Sequence, residues 1–222
     1  MSDPLAKRSR ILRDTAIGAV LGLVLGAAIA LRHAGIERPG VWGPFVLWVA
    51  FFAYWGIASR NQARTASAES ERSTLTHRIL LNVSLIVTIA PIPGLRARFL
   101  PDAPAFVALG LAIQLACIAL AVWARRHLGS NWSAEVRIAV DHQLIRTGPY
   151  RWLRHPIYTA MLGMYVGTAI ATGEVHALVG LALVSVAYWR KVEIEERTLA
   201  GRFGTNWEAY RQTTWGVVPF IH

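Results

Sequence analysis

Hydrophobic residues fall in long runs along this chain, and short polar segments separate the runs. The hydrophobic runs cover residues 15–31, 41–58, 79–95, 103–124, 157–171 and 175–189. Each run is close to the roughly 17–25 residues that cross a bilayer as a helix. The pattern predicts an all-α integral membrane protein, a multi-pass helical bundle with about five to six transmembrane segments.

The last two runs predict a C-terminal helical hairpin. They are short, and a turn at residues 171–174 joins them. Fifteen residues of helix rise only about 22 Å, so these runs either form a tight hairpin or dip incompletely through a core of about 30 Å. In both cases the two ends return to the same side. The hairpin therefore brings Arg154 and His155 near Glu195 and Glu196.

Composition supports a membrane protein, because the chain is 54% hydrophobic and 16% charged, against about 25% charged residues in soluble domains. The net charge of +10 could suggest a nucleic-acid partner. All but four of the 23 lysines and arginines, however, fall on one side of the predicted membrane, and the exceptions are Arg32, Arg38, Arg96 and Arg98. This is the positive-inside bias. It predicts no nucleic-acid partner, cytosolic termini, an even number of crossings and a location in the cell (inner) membrane.

The beginning of the chain resembles a signal peptide, but further apolar runs follow it, so we interpret 15–31 as a retained helix. Gly18, Gly22 and Gly26 form a small-residue ridge that allows a homo-oligomer or, as favoured here, packing within the chain. Cys117 is the only cysteine. The histidines lack i,i+4 pairing and no cysteine pair exists, so no metal site is predicted. Glycine patterns of nucleotide-binding folds are also missing.

Candidate chemistry begins in the segment 147–158, TGPYRWLRHPIY, which is basic and contains two prolines. The residue before a proline avoids the α region, so we expect His155 to be extended and Pro156 to begin a helix. Unpaired N–H groups at that helix start, with Arg151, Arg154 and His155 beside them, suit an anion such as a carboxylate. The same residues are also typical of an ordinary juxtamembrane belt.

Acidic residues follow the last apolar run. Glu193 and Arg197 have the spacing of an ordinary surface pair. Glu195 and Glu196 point about 100° apart on a helix, so we expect one to face the bundle while the other faces water. An inward carboxylate would attract an ammonium or sulfonium group, although a merely solvated acidic face is equally compatible with the sequence. His142, after Asp141, reads as a loop residue.

Several elements of the second half resemble the isoprenylcysteine carboxyl methyltransferase family, which is related to membrane phospholipid N-methyltransferases. They are GSNWS at 129–133, DHQLI at 141–145, GPYRWLRHPIY at 148–158, EERTL at 195–199, FG at 203–204, Tyr210 and PFI at 219–221. The match covers about residues 125–222, and residues 1–124 match only in being membrane-spanning. We therefore divide the chain into N-terminal transmembrane helices, 1–124, and a catalytic region, 125–222.

The resemblance implies an S-adenosylmethionine-dependent methyltransferase with its cofactor pocket on the cytosolic side. The cofactor-binding set carried over comprises His142, Leu144, Gly148, Pro149, Tyr150, Arg154, His155, Pro156, Tyr158, Glu195 and Glu196, and the catalytic set comprises Glu195, Glu196, His155 and Arg154. The implied partner is a lipophilic substrate, an isoprenylcysteine-type carboxylate or a related small hydrophobic acceptor. Two alternatives stay open, a phospholipid amine N-methyltransferase and a small membrane transporter or scaffold.

Overall fold

The structure is a computed structural model that describes residues 38–58, 70–90, 92–129 and 144–219. This part of the chain is helical, with two isolated β-bridges. Its helices are α1 (Pro39–Ala58), α2 (Glu71–Ile89), α3 (Pro104–Leu128), α4 (Pro156–Thr172), α5 (Val175–Phe203) and α6 (Thr205–Gln212), and a 3₁₀ turn, Gly148–Arg151, precedes α4. The predicted run 15–31, with its glycine ridge, and His142 lie outside the described residues.

Three of these helices, α1, α3 and α5, are long and apolar enough to cross a membrane by length and composition. The α2 helix exposes Leu75, Ile79, Val83 and Ile86 at spacings of three and four residues, which line one face of a helix. An exposed apolar face of this kind suits contact with lipid. The protein is thus a helical integral membrane protein, as the sequence predicted.

The short helix α4 lies inside the bundle, and its 17 residues span only about 25 Å. It packs most closely on α3, where a Cβ added to Gly110 would lie 2.4 Å from the Gly167 carbonyl oxygen. Only glycine permits this backbone approach, which is the usual role of small residues between membrane helices. Cys117 of α3 packs against Gly163, one turn before Gly167 on α4.

Buried hydrogen bonds centred on Thr168 join α1, α3 and α4 in the middle of the bundle. The Thr168 hydroxyl accepts hydrogen bonds from Trp48 Nε1 at 3.0 Å and from Gln114 Nε2 at 2.9 Å, and it donates to the Met164 carbonyl. Gln114 therefore contributes a hydrogen bond between α3 and α4. Asn82, by contrast, donates to the carbonyl of Arg78 within its own helix α2.

Two helix boundaries differ from the hydrophobic runs. The α2 helix ends at Ile89, before the prolines of this region, because Ala90 already has an extended backbone with ψ of 139°. The α5 helix continues far beyond the apolar run to Phe203. At about 43 Å it is longer than a bilayer core of about 30 Å, so its polar end, which carries Glu195 and Glu196, extends past the apolar part.

The bundle has two polar ends. At one end, a group that we call the Glu174 cluster surrounds the turn between α4 and α5, and it consists of Arg38, Arg96, Arg98, Asp102, Glu174 and His176. Arg154, His155, Glu195 and Glu196 lie at the other end, where α4 begins. The helical hairpin predicted from the sequence is confirmed, with Gly173 closing α4 in the left-handed conformation at φ of 64°.

Candidate active site

The start of α4 presents His155 at a fixed place because the local sequence ends one element and begins another. Pro156 occupies the first helical position, and His155 before it has a non-helical backbone with φ of −126°. Both features agree with the expectation from the two residues alone. The α5 helix then returns alongside α4, so residues 41 positions apart in the chain, His155 and Glu196, come into contact.

The His155 ring lies between the two carboxylates. Its Nε2 is 3.2 Å from Glu196 Oε1, and its Nδ1 is 3.5 Å from Glu195 Oε2. Burial by itself would lower the pKa of the imidazole. Hydrogen bonds to Glu195 and Glu196, together with their charges, outweigh burial and raise the pKa above its ordinary value of 6.5. Protonation also lets both ring nitrogens donate, one to each carboxylate.

Both glutamates face this site, so the expectation that one would face water is wrong. Their side chains are 22% and 19% exposed for Glu195 and Glu196. The side chains of adjacent helical residues point about 100° apart. The imidazole nevertheless contacts both carboxylates, because it lies between them and its two nitrogens point to opposite sides. Glu195 also accepts a hydrogen bond of 2.5 Å from the Tyr158 hydroxyl.

Glu193, two residues earlier, behaves differently from the pair. It is exposed and forms the predicted i,i+4 ion pair with Arg197. This neighbour therefore provides a natural comparison, since it carries the same charge on the same helix and lies outside the site.

Aromatic rings extend from the site into the bundle. His155 and Tyr158 stack with their centroids 5.7 Å apart, and Tyr158 stacks on Tyr188 of α5 at 4.8 Å. Offset ring pairs of this kind hold their members in fixed orientations. Tyr188 was not singled out in the sequence, where a tyrosine near the end of an apolar run is an ordinary interfacial residue.

Arg154 is the most completely engaged residue of the predicted set. Its Nε donates to Glu196 Oε1 at 2.8 Å, and its Nη1 donates to the carbonyls of Thr214 and Arg211 at 2.5 and 3.1 Å. The side chain is only 2% exposed. Arg154 is thus held by protein groups, whereas the anion-binding interpretation requires a cation that faces a ligand.

The remaining predicted residues lie in the segment that precedes α4. Pro149 and Tyr150 are buried in the 3₁₀ turn, and the Tyr150 carbonyl accepts a bond of 2.7 Å from the Tyr210 hydroxyl. Gly148 has φ of 59° and lies directly against the His127 ring. Leu144 is half-buried at the beginning of this described segment.

Sequence reasoning missed the contribution of residues 210–217. Arg211 Nε is 3.8 Å from Glu196 Oε2, and the Trp215 carbonyl accepts a bond of 2.8 Å from the Arg154 backbone N–H. Burial raises the pKa of Tyr210 to about 12, so its hydroxyl stays protonated and can donate to Tyr150. Tyr210 and PFI at 219–221 were part of the family resemblance. A sequence, however, does not show which backbone carbonyls will accept hydrogen bonds.

Comparisons with known proteins find similar sequences along most of the chain. The profile of the isoprenylcysteine carboxyl methyltransferase (ICMT) family matches residues 108–201. A protein-S-isoprenylcysteine O-methyltransferase from Xenopus laevis is 29% identical over 217 residues, which cover 90% of this chain and 71% of the relative. The enzyme of the same name from Tribolium castaneum is 25% identical, covering 91% of this chain and 74% of the relative.

A solved structure of a eukaryotic intramembrane Ras methyltransferase ICMT has a similar fold. The TM-score is 0.58 at 21% identity, with 92% of this chain and 75% of that chain covered. Helical membrane architecture and these sequence matches together point to a methyltransferase of the membrane-embedded class. The segment 108–201 is similar to the isoprenylcysteine carboxyl methyltransferase family, and most of the chain is similar to the two methyltransferases.

Proposed function

We propose that this protein transfers a methyl group from S-adenosylmethionine to the carboxylate of a lipophilic acceptor of the isoprenylcysteine type. One observation carries the proposal. Two carboxylates on α5 and the His155–Pro156 start of α4, which are distant in sequence, converge where the polar end of a long membrane helix leaves its apolar part. A charged donor from water and a lipid-like acceptor can meet there.

The donor set fits S-adenosylmethionine. Glu195 and Glu196 are partly exposed anions, and they suit the ammonium and sulfonium groups of the donor. Tyr158 and His155 fix the two carboxylates from one side. The donor's own carboxylate needs cations or N–H groups, and the Gly148–Pro156 segment with Arg211, which is half exposed, provides candidates. Arg154 is less suited to direct contact because its side chain is 2% exposed and its Nε and Nη1 groups already donate to protein oxygens.

When bound, S-adenosylmethionine supplies an electrophilic methyl group on sulfur. The chain's residues then have three tasks, which are to hold the donor, orient the acceptor and exclude water. An acceptor carboxylate is ionised at neutral pH because its ordinary pKa is about 3.5, so this reaction needs no general base. Positioning alone can supply up to roughly 7–11 kcal/mol of the barrier. An amine acceptor would require loss of a proton, for which Glu196 is placed.

The topology belongs to the same proposal. The end of the bundle with Glu196 also carries Arg125, Arg126, Arg146, Arg151, Arg190, Lys191, Arg197, Arg202 and Arg211, whereas the described cations at the other end are Arg38, Arg96 and Arg98. This bias supports a cytosolic pocket and cytosolic termini. The proposal also includes about five to six transmembrane segments, of which six would place both termini on the same side, and a location in the inner membrane. A reporter fused after His222 should be active in the cytosol, and activity outside would overturn this orientation.

We keep the division at residue 125 as a functional one. The site groups come from residues after 144, but α3 packs along α4 through Gly110 and Gly167. The N-terminal helices therefore support the catalytic region physically, and they would shape the route by which a lipid tail approaches.

Binding of the methylation product S-adenosylhomocysteine to purified protein in detergent tests the donor site. We expect saturable binding by calorimetry that is lost in a Glu195→Gln/Glu196→Gln double variant. Glu193→Gln is the matched control, because it removes one exposed charge from the same helix, and it should bind normally. Absence of binding to folded wild-type protein would overturn the proposal and favour a transporter or scaffold.

Transfer of a labelled methyl group to N-acetyl-S-farnesylcysteine tests the acceptor. A carboxyl methyl ester releases labelled methanol in mild base, whereas an N-methyl product does not. Base-labile label on the farnesylcysteine supports the proposed reaction. Base-stable label that appears instead on phospholipid amines would replace it with N-methyltransferase activity.

A further inference from the structure

Residues 213–217, which we call the C-terminal strap, run across the start of α4. The Arg154 N–H donates to the Trp215 carbonyl at 2.8 Å, and the Trp215 N–H donates to the Trp152 carbonyl at 2.9 Å. Leu153 and Trp215 form a parallel bridge. The Thr159 hydroxyl adds a bond of 2.5 Å to the Val217 carbonyl. The strap is therefore paired through its backbone with the segment that carries His155.

The Arg154 guanidinium connects this strap to the acidic pair. Its Nη1 binds the carbonyls of Thr214 and Arg211, while its Nε binds Glu196 Oε1. Glu196 Oε1 is the same oxygen that contacts His155 Nε2. A planar guanidinium with several donors in fixed directions can satisfy both sides at once, whereas an ammonium group cannot reproduce that fork.

We propose that Arg154 is a positioning residue that latches the C-terminal strap onto the start of α4 and thereby fixes the Glu196 carboxylate in the site. This inference rests on the proposed function only in its consequence for binding. Arg154 acts through Glu196 and makes no contact with the donor. Docking of the strap then determines whether the acidic pair is arranged to receive a cationic ligand.

The chain offers a matched set of variants. Arg154→Lys keeps the positive charge beside Glu196 and loses the fork to the Thr214 and Arg211 carbonyls. Thr159→Val removes the bond to Val217 on the strap and a longer bond of 3.2 Å to the His155 carbonyl one turn earlier, with little change of volume. Thr198→Val is the control, because the Thr198 hydroxyl bonds the Ile194 carbonyl of its own helix.

Three readouts separate a latch from other roles. Hydrogen exchange of residues 213–217 measures docking of the strap, and an NMR titration of the His155 imidazole reports the contact with Glu196; neither needs a ligand. Calorimetry with S-adenosylhomocysteine measures the consequence. We expect Arg154→Lys to accelerate strap exchange at least tenfold, shift the His155 titration and weaken binding about tenfold. Thr159→Val should change all three in the same direction by less, and Thr198→Val should change none.

The possible contradictions are distinct. Strap protection and a His155 titration that are unchanged in Arg154→Lys would overturn the latch and leave only a charge effect. A released strap with normal His155 titration and normal binding would show that the strap does not position Glu196. If Arg154→Lys fails to fold, Thr159→Val decides by the same readouts. If wild-type protein binds no S-adenosylhomocysteine, the proposed function fails, while exchange and titration still decide the latch.

Discussion

The two polar ends of the bundle contain the same types of side chain in different arrangements. In the Glu174 cluster, Glu174 is 3% exposed and its carboxylate is shared by Arg38 at 2.9 Å, Arg96 at 3.5 Å and His176 at 3.2 Å. At the other end, His155 and Arg154 meet the carboxylates of Glu195 and Glu196, which are about one-fifth exposed. One end has one buried acid among cations, and the other has a pair of accessible acids.

The backbone around each group explains this difference. Around Glu174, the N–H groups of Val175 and His176 donate to the Ala97 and Leu95 carbonyls, so the turn is fixed on the segment that follows α2. At the other end, the Glu196 carboxylate itself is held by side chains, chiefly that of Arg154, beside a strap that is paired through its backbone. A buried carboxylate whose charge is neutralised by neighbouring cations is typical of a structural ion cluster. Accessible carboxylates held by adjustable partners are typical of a ligand site.

The sharpest test of this contrast compares Glu196→Gln with Glu174→Gln. We expect Glu196→Gln to reduce methyl transfer roughly 100- to 1,000-fold, the range for removing one preorganised electrostatic contact, and to lower thermal stability less than Glu174→Gln does, because Glu196 is about one-fifth exposed and Glu174 is buried. Glu174→Gln should keep its activity per folded molecule and unfold at a lower temperature. The measurements are initial rates and thermal unfolding in one detergent. Equal loss of activity in both variants would erase the distinction between the two ends.

A second prediction concerns stability at the Glu174 end. Glu174→Ala should reduce the free energy of unfolding by about 2 kcal/mol, below the 3–5 kcal/mol for a fully buried pair because Arg38 and Arg96 are partly solvated. Asp102→Ala removes a 60% exposed partner of the same Arg38 and should cost less than about 1 kcal/mol. Denaturant titration in mixed micelles measures the free energy of unfolding of both variants. A larger effect of Asp102→Ala than of Glu174→Ala would contradict the structural role of Glu174.

The hydrogen bonds of Thr168, between the two ends, should contribute less to the free energy of unfolding than the ion pairs of Glu174. Thr168→Val leaves Trp48 Nε1 and Gln114 Nε2 without their shared acceptor, which should cost about 1–2 kcal/mol. Trp48→Phe removes one of these donors and should cost less. A loss larger than that of Glu174→Ala would place the main stabilising contact in the middle of the bundle.

The smallest expected effect is the pH dependence contributed by His155. Because its pKa is raised in the folded protein, protonation favours folding. The stabilising contribution is fully present below the ordinary value of 6.5 and is lost as pH rises through the raised pKa. Wild-type stability should therefore approach that of His155→Gln as pH increases from 6.5. Unfolding curves of both proteins across that range measure this, and a widening difference would reverse the assigned sign.

The sequence determined the helices and the neighbourhood of the site because these depend on local rules. Apolar runs of bilayer length require internally bonded helices. Pro156 begins α4 and Gly173 ends it because of their own backbone restrictions. A turn this tight returns α5 beside α4, so the approach of His155 to Glu196 followed from chain order alone.

Only the tertiary structure decided how the charges are used. One glutamate was expected to face water, but both face the site because the His155 ring lies between their two adjacent side chains and contacts each of them. Arg154 binds carbonyls of residues 211 and 214, and every residue carries such a carbonyl, so no pattern of side chains could have predicted that choice. Partners separated by tens of residues are selected by packing, which the order of residues constrains but does not specify.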